Sequence, residues 1–344
     1  MLDAVTRVRV HVEGGGNFEC QPGDNLLHAA LREGLGFPYE CNSGGCGSCQ
    51  FAILEGEVRN QWEQAPGLSP RARVRGQRLA CQSVIKGDCR IKVGCKPEFV
   101  PLTAPVAHTA ELVARNALTA DMAEYTFKCA EAAEFAPGQY ALLRLPGVVG
   151  DRAYSMSNLP NPDGLWSFII KRTPNGRGTS VLAEIMCIGD RVELNGPFGM
   201  AYLRSTAPRD LVCIGGGSGL SPLKAIISAA VREPELADRK IFLFYGGRTE
   251  ADICTNLLLE EDPHLLGRVT VIPAISEPER SSTWKGEQGL IHEVAGRWLE
   301  EQASPANRFE YYFCGPPPMT DAVQRLLMLD RRVPMAQLHF DRFL

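Results

Sequence analysis

The sequence has no apolar run approaching the roughly 20 residues of a membrane-spanning helix, so a membrane protein of that kind is not expected. It has little net charge, formally −4, and no basic cluster of the kind nucleic-acid binding requires, so nucleic acid is not an expected partner. It has no internal repeat and no low-complexity tract, and no Ser/His/Asp set that would suggest a hydrolase. The start, residues 1–12, alternates apolar Val8, Val10 and Val12 with Arg7, Arg9 and His11, which is a strand pattern and not a signal peptide. The expectation is a cytoplasmic protein without a membrane anchor.

What is present is an ordinary globular composition, 44% hydrophobic and 22% charged. At 344 residues the chain exceeds the size at which one hydrophobic core stops growing, so two or three domains are expected. Twelve cysteines are many for a reducing compartment, where disulfides are rare. Seven lie in the first 95 residues, and one tight group stands among them.

Two composition changes mark boundaries: a proline-rich stretch at 96–105 and a polar turn-like stretch at 204–209. The first segment mixes short strands with one helix at 25–33. The middle one reads as strands at 111–113, 124–129, 140–145, 153–157, 166–172 and 191–194, with a helix at 180–186. Turn residues between short strands predict an antiparallel barrel. The last segment alternates strands (211–214, 241–245, 269–274, 311–314) with amphipathic helices, the pattern of a parallel sheet covered by helices.

Cys41, Cys46 and Cys49 form a Cys-x4-Cys-x2-Cys arrangement, and Cys81 is the next cysteine. This is the plant-type 2Fe–2S spacing. The small residues between them allow positive φ and aim backbone N–H groups at the sulfurs. A four-cysteine zinc site is the alternative, although zinc ligands usually come as two close knuckles and Cys81 has no near partner before Cys89. Cys20, Cys89 and Cys95 read as buried small hydrophobes.

Arg152-Ala153-Tyr154-Ser155 lies on a predicted strand whose period of two puts Arg152 and Tyr154 on one face. An aromatic surface, a cation and a hydroxyl are what a flavin requires; a barrel strand with an exposed arginine is the plainer reading. Ile170 and Lys171 follow on another strand, and the turn Gly176-Arg177-Gly178-Thr179 leads to a helix that Thr179 or Ser180 would cap, making a phosphate site.

The strand 211–214 runs into Gly215-Gly216-Gly217-Ser218-Gly219, then Ser221 as N-cap and Pro222 at the first helical position. Strand, glycine loop and helix N-terminus together make a pyrophosphate cradle whose spacing differs from the Rossmann fingerprint. Cys314-Gly315-Pro316 ends another strand ahead of a helix at 320–329, with Met319, Ala322, Val323, Leu326 and Leu327 as its buried stripe. Arg248 ends a third strand at the same edge, within reach of a phosphate or ribose. Glu250 and Asp252 after it would accept ribose hydroxyls and repel a 2′-phosphate, which favours NADH, unless both acids lie in a solvated loop.

Phe37-Pro38-Tyr39-Glu40-Cys41, Gly44-Gly45-Cys46-Gly47-Ser48-Cys49 and Leu79-Ala80-Cys81-Gln82 resemble the ferredoxin domain of bacterial oxygenase reductases. The Arg-x-Tyr-Ser run and the later turns resemble the ferredoxin–NADP reductase superfamily, and the resemblance spans essentially the whole chain. It implies a β-grasp-like ferredoxin domain at 1–97, an antiparallel FAD barrel at 105–206 and a parallel-sheet α/β NAD domain at 208–344. It also implies that Arg152, Tyr154, Ser155, Ile170, Lys171, Gly176, Gly178 and Thr179 hold FAD. Gly215 to Gly219, Arg248, Gly315 and Pro316 would hold NADH, Cys314 would sit by the nicotinamide, and Phe343 (with Phe340 as substitute) would lie near the flavin ring. The implied reaction passes hydride from NADH to FAD. Single electrons then leave through a cluster on Cys41, Cys46, Cys49 and Cys81 to an oxygenase component or its ferredoxin. The ending 339–343 leans towards diiron monooxygenases over Rieske dioxygenases. A non-enzymatic iron–sulfur carrier or sensor and a zinc-stapled binding protein are the remaining alternatives.

Overall fold

The computed structural model describes residues 7–207, 209–281, 283–302 and 305–343. Two compact units emerge, one holding residues up to 107 with 195–199, the other 108–194 with 200–343.

In the first unit β1 (Val8–Val12) and β2 (Gly16–Cys20) form a hairpin in which buried Val8, Val10 and Val12 alternate with exposed Arg9 and His11, as the sequence predicts; residues 1–6 of that expected strand lie outside the described residues. Helix α1 (Leu26–Arg32) starts where Asn25 accepts from the Leu27 and His28 amides. Then come β3 (Gln50–Glu55), β4 (Val58–Asn60), α2 (Pro70–Val74, capped by Ser69), β5 (Gln77–Leu79), β6 (Ser83–Ile85) and β7 (Cys89–Lys92). The sheet order is β2-β1-β7-β3-β5, with β1 and β7 parallel and a separate β4–β6 pair. Cys20 and Cys89 are buried in it as expected, whereas Cys95 is half-buried. The proline-rich stretch begins fastened to this unit, since the Lys96 amide donates to Gly36 O at 2.8 Å.

The second unit starts with a barrel of β8 (Val106–Thr119), β9 (Met122–Lys128), β10 (Tyr140–Arg144), β11 (Arg152–Ser155), β12 (Leu165–Lys171) and β13 (Arg191–Phe198), in sheet order β11-β10-β13-β8-β9-β12. A bridge between Met156 and Phe168 closes it. Tyr125, Phe127, Trp166, Phe168 and Leu182 fill its interior. The helix expected at 180–186 starts earlier, as α3 (Arg177–Ser180), and continues as a wider π turn over Val181–Ile185. Burial of Val181 and Leu182 in the barrel, a tertiary demand, sets that course.

The parallel sheet contains β14 (Asp210–Gly216), β15 (Ile241–Gly247), β16 (Val269–Ile275), β17 (Glu287–Gln288), β18 (Phe309–Gly315) and β19 (Leu338–Arg342) in the order β17-β16-β15-β14-β18-β19. Helices α4 (Leu220–Ala230), α5 (Thr255–Glu261), α6 (Ile291–Glu301) and α7 (Pro317–Arg325) accompany it, and separate cores lie on its two faces. The stripe expected on the last helix is borne out in part: Val323 and Leu327 are fully buried, while Met319, Ala322 and Leu326 are half-buried. Residues on both sides of the turn at 204–209 fall in one compact unit, and side chains stitch barrel to sheet. Ser221 Oγ donates to Ser155 O at 2.6 Å and accepts from Ile169 N at 2.9 Å. Lys224 pairs with Glu124 at 3.0 Å, and Glu124 also accepts from Ser157 Oγ at 2.6 Å.

Candidate functional site

The loop from Cys41 to Cys49 is shaped by positive φ at Asn42, Gly44 and Gly47. Its amides aim at sulfur as expected: Ser43 N and Cys46 N lie 3.5 and 3.3 Å from Cys41 Sγ, and Ser48 N lies 3.4 Å from Cys46 Sγ. Cys49 and Cys81, from opposite ends of the loop system, bring their sulfurs to 3.4 Å and are buried. The thiols thus form two pairs, Cys41 with Cys46 and Cys49 with Cys81. Among the described residues no three or four acidic, histidine or cysteine side chains converge on one point as a mononuclear metal would require. Two pairs suit a two-iron group better than a single zinc. Within each pair the partner's S–H lowers one thiol's pKa and leaves the other raised: Cys41 and Cys49 are lowered, chiefly by that bond, while Cys46 and Cys81 are raised.

Sequence reasoning missed the support for this loop. Asn25, while capping α1, donates from Nδ2 to Cys81 O at 2.8 Å, and His28 Nε2 lies 3.0 Å from Asn42 Oδ1. The helix was legible; this bond of Asn25, 56 residues away, was not.

On the barrel, Arg152 and Tyr154 do share a face, and Gly178 lies against both. A Cβ there would stand 3.2 Å from Arg152 Cγ and from Tyr154 Oη. Arg152 Nη1 donates to the carbonyls of Val149, Gly150 and Asp151 at 3.1–3.3 Å, which aims the cation without neutralising it. Ser155 is buried. Three expectations need correction. Ile170 turns its side chain into the barrel core. Lys171 commits its charge to Asp121 and Asp252, both at 3.2 Å, and its stem packs beside Gly217. Neither Thr179 nor Ser180 caps α3: Gly176 is the N-cap, and Thr179 Oγ1 donates back to Gly176 O at 3.2 Å while accepting from Thr173 N at 3.1 Å.

At the nucleotide edge three neighbouring strands end in glycine. Gly215 and Gly216 close β14, Gly246 and Gly247 close β15, and Gly315 closes β18, with Gly216 paired to Gly246 and Gly215 to Cys314. Packing demands glycine most firmly at Gly219, where a Cβ would stand 2.0 Å from Cys314 O; one at Gly215 would meet the end of the Leu223 side chain at 2.6 Å. Tyr245, fully buried, pins the loop by donating from Oη to Gly217 O at 3.1 Å, a contact the sequence did not disclose. Ser218 sits half-buried in the turn between the strand and α4, and Arg248 is exposed just beyond β15.

Two helix starts differ from expectation here. Helix α4 begins at Leu220 with Gly219 as N-cap, so Ser221 and Pro222 stand inside its first turn. Ser221 is spent on stitching barrel to sheet, which local sequence cannot show. Helix α7 begins at Pro317, not 320, with Pro316 as N-cap. Proline suits the first turn, where its missing N–H costs nothing, but three prolines in a row also leave that helix end poor in anion-binding amides. The glycine loop keeps that task.

Asp252 is not a free ribose acceptor. Its carboxylate accepts from Arg248 N, Thr249 N and Thr249 Oγ1 at 3.0–3.2 Å, forming a capping box, and pairs with Lys171. Burial pushes its pKa up, but the Thr249 amide and Lys171 outweigh that and leave it lowered. Glu250 stays exposed and bonded to Thr283.

Cys314 is wholly buried, and burial drives its thiol pKa well above the ordinary value. Phe343 packs on the same side of the sheet as Cys314, and its amide donates to Gly315 O at 3.2 Å. Phe340 is no substitute for it. That ring lies with the opposite core, stacked on Phe313 at 4.8 Å, because alternate residues of β19 point to opposite faces.

Three family descriptions match in chain order: a 2Fe-2S iron-sulfur cluster binding domain over 10–86, an oxidoreductase FAD-binding domain over 109–202 and an oxidoreductase NAD-binding domain over 213–325. The chain is 44% identical over 340 residues to the ferredoxin–NAD(P)+ reductase CarAd of Metapseudomonas resinovorans, covering 97% of this chain and 99% of that one. It belongs to the ferredoxin–NAD(P)+ reductase family of oxygenase systems. The reductase is also 33% identical to the ferredoxin–NAD+ reductase component of an alkene monooxygenase system from Xanthobacter autotrophicus, covering 97% of this chain and 100% of that one. A solved structure of the ferredoxin reductase in carbazole 1,9a-dioxygenase superposes with a TM-score of 0.89 at 39% identity, covering 98% and 99% of the two chains. The reductase is accordingly an oxidoreductase with 2Fe–2S, FAD and NAD(P) domains that passes electrons to oxygenase or ferredoxin partners. Among the described residues no helix is long and apolar enough to cross a membrane.

Proposed function

We propose that this chain is an NADH-dependent reductase working in the cytoplasm, with domain limits at 1–97, 105–206 and 208–344, and with the cluster loop as its electron exit. The pairing of Cys41 with Cys46 and of Cys49 with Cys81 under a set of inward N–H groups carries the reading. Bound FAD and the cluster supply the conversion from one two-electron donor to single electrons.

The chain's own residues bind and align. Arg152 presents an unneutralised cation beside Gly178, suited to a flavin pyrophosphate, while Tyr154 and Ser155 offer an aromatic face and a polar edge. Gly176 and Thr179 shape the turn that would take the phosphates, and Ile170 and Lys171 serve from behind, as barrel core and interdomain clamp. The bare strand ends at Gly215 to Gly217, Gly246 and Gly315 let a dinucleotide backbone approach closely, with Ser218, Gly219, Arg248 and Pro316 around it. Cys314 stays protonated and acts by packing beside the nicotinamide, not as a nucleophile. Phe343 covers that region. The exposed carboxylate of Glu250 beside Arg248 supports NADH over NADPH.

For the partner, whole-chain likeness at 39% identity to the ferredoxin reductase in carbazole 1,9a-dioxygenase supports a Rieske dioxygenase or its ferredoxin as acceptor. A diiron monooxygenase is the second reading, supported by the alkene-system relative at 33%. The ending that leaned to monooxygenases is occupied with packing, His339 on Glu310 and Phe340 on Phe313, and says little about a partner. Anaerobic titration of the loaded protein with NADH should bleach the flavin and iron–sulfide absorption together, with NADPH much less effective. No bleaching with either nucleotide would refute the reading; equal effectiveness would refute only the NADH preference.

A further inference from the structure

The charge that is nearly balanced over the whole chain is not balanced near the cluster loop. Between Glu63 and Asp88 the sequence holds Arg71, Arg73, Arg75, Arg78 and Lys86 and not one acidic residue. Most of this stretch is clamped to the cluster loop at both ends. At the near end Gly67 N donates to Gly44 O at 2.9 Å, and Gly47 lies so close that a Cβ on it would stand 2.4 Å from Gly67 O. At the far end Ala80 N donates to Cys49 O at 2.9 Å, one residue before Cys81. Helix α2 and β5 therefore stand on the rim of the cluster loop.

The arginines there are unequal. Arg73 is structural: its Nη2 donates to Leu68 O at 3.0 Å and Ala65 O at 3.4 Å, holding the turn that touches the loop. Arg71 and Arg75 are exposed, and among the described residues their guanidiniums enter no ion pair or hydrogen bond. Beside them Val74 is 89% exposed, and Trp62, whose ring lies against Gly44, is 46% exposed. Two uncommitted guanidiniums with an exposed indole and a valine have the chemistry of an interface centre, where Arg and Trp are enriched. In the chain the nearest acidic residue before this stretch is Glu63, and Glu40 stands before Cys41.

We propose that this face, with Trp62, Arg71, Val74 and Arg75 at its centre, docks an acidic surface of the electron-accepting protein over the cluster loop. The inference rests on the reading that electrons leave through the cluster. Clustered charge of one sign steers an oppositely charged partner and orients it on arrival, and here the orientation brings the acceptor to the loop bearing the thiols. A basic partner surface would be repelled from this face.

The test uses the holoenzyme with two one-electron acceptors, cytochrome b5, which is acidic, and cytochrome c, which is basic. The double variant Arg71→Glu/Arg75→Glu should raise KM for cytochrome b5 about tenfold at low salt, leave ferricyanide reduction and the reduced cluster's EPR spectrum unchanged, and not raise KM for cytochrome c. Arg71→Lys/Arg75→Lys should stay close to wild type. An unchanged KM for cytochrome b5 would overturn the proposal. So would an equal rise for both cytochromes, or an altered EPR spectrum, either of which would make the arginines supports of the cluster. Salt-sensitive binding of a short DNA duplex, lost in the Glu variant while cytochrome kinetics stay put, would reassign the face to nucleic acid and overturn it too. Cytochrome b5 reduction that survives Cys81→Ser would remove the electron-exit reading itself, and the docking face with it.

Discussion

The cluster loop and the nucleotide edge both place cysteine among glycines, yet they treat the thiol in opposite ways. In the loop, glycine and Asn42 adopt positive φ so that amides turn inward onto sulfur, and Cys41 is held as a thiolate. At the edge, glycines clear space so that backbone meets backbone, and burial keeps Cys314 protonated. The same small residue thus serves donor geometry in one place and close approach in the other. Thiol chemistry follows the donors aimed at the sulfur, here the partner thiol first and the amides after it, not the residue name.

The largest expected effect breaks the first half of that comparison. Cys81→Ser should abolish NADH-driven reduction of a ferredoxin-type acceptor while sparing NADH–ferricyanide activity; a folded variant that loses both would contradict separate roles for the two sites. Gly219→Ala attacks the second half. Its Cβ would meet Cys314 O at 2.0 Å, and overpacking of this kind costs about 1–3 kcal/mol. Ferricyanide activity and thermal midpoint should both fall while the iron–sulfide absorption stays intact, and unimpaired NADH kinetics would show that the edge tolerates side chains.

A smaller effect separates the two faces of β19. Phe340→Ala should destabilise the second unit by about 2 kcal/mol, below the full-burial range because the ring is half-buried. Phe343→Ala should change NADH kinetics with less loss of stability, as denaturant midpoints and steady-state rates would reveal; matching profiles would put both rings in one role. The smallest effect concerns Asp252. Because its pKa is lowered in the folded chain, its stabilising contribution is full above the unfolded value near 4 and disappears as pH falls through the folded value. Asp252→Asn should therefore lower the thermal midpoint at pH 7 and make little difference at strongly acid pH. An equal deficit at both would show that the capping box works without the charge.

The readable parts of this protein were the ones whose determinants are local. The cysteine spacing, the helix beginning near residue 25, the strand-to-glycine transition at Ile214 and the period of β11 each depend on residues a few positions apart. Ser221 shows where that stops. Its sequence context is a faultless N-cap, but the helix begins earlier because its hydroxyl is bonded to Ser155 and Ile169 of the barrel. Asp252 looked like a ribose acceptor because an acid at that edge suits one; Lys171, 81 residues away, and the Thr249 amide had already claimed it.

By itself the sequence determined the order of the three nucleotide and cluster modules, the four thiols and the glycine-bared strand end, since spacing and backbone freedom are properties of short segments. Only the tertiary structure decided which side chains remained available. Ile170 went to the barrel core, Lys171 and Asp252 to each other, and Phe340 and Phe343 to opposite sides of the sheet. Burial and pairing are settled by neighbours distant in the chain, and a polar group satisfied by one of them has nothing left for a ligand.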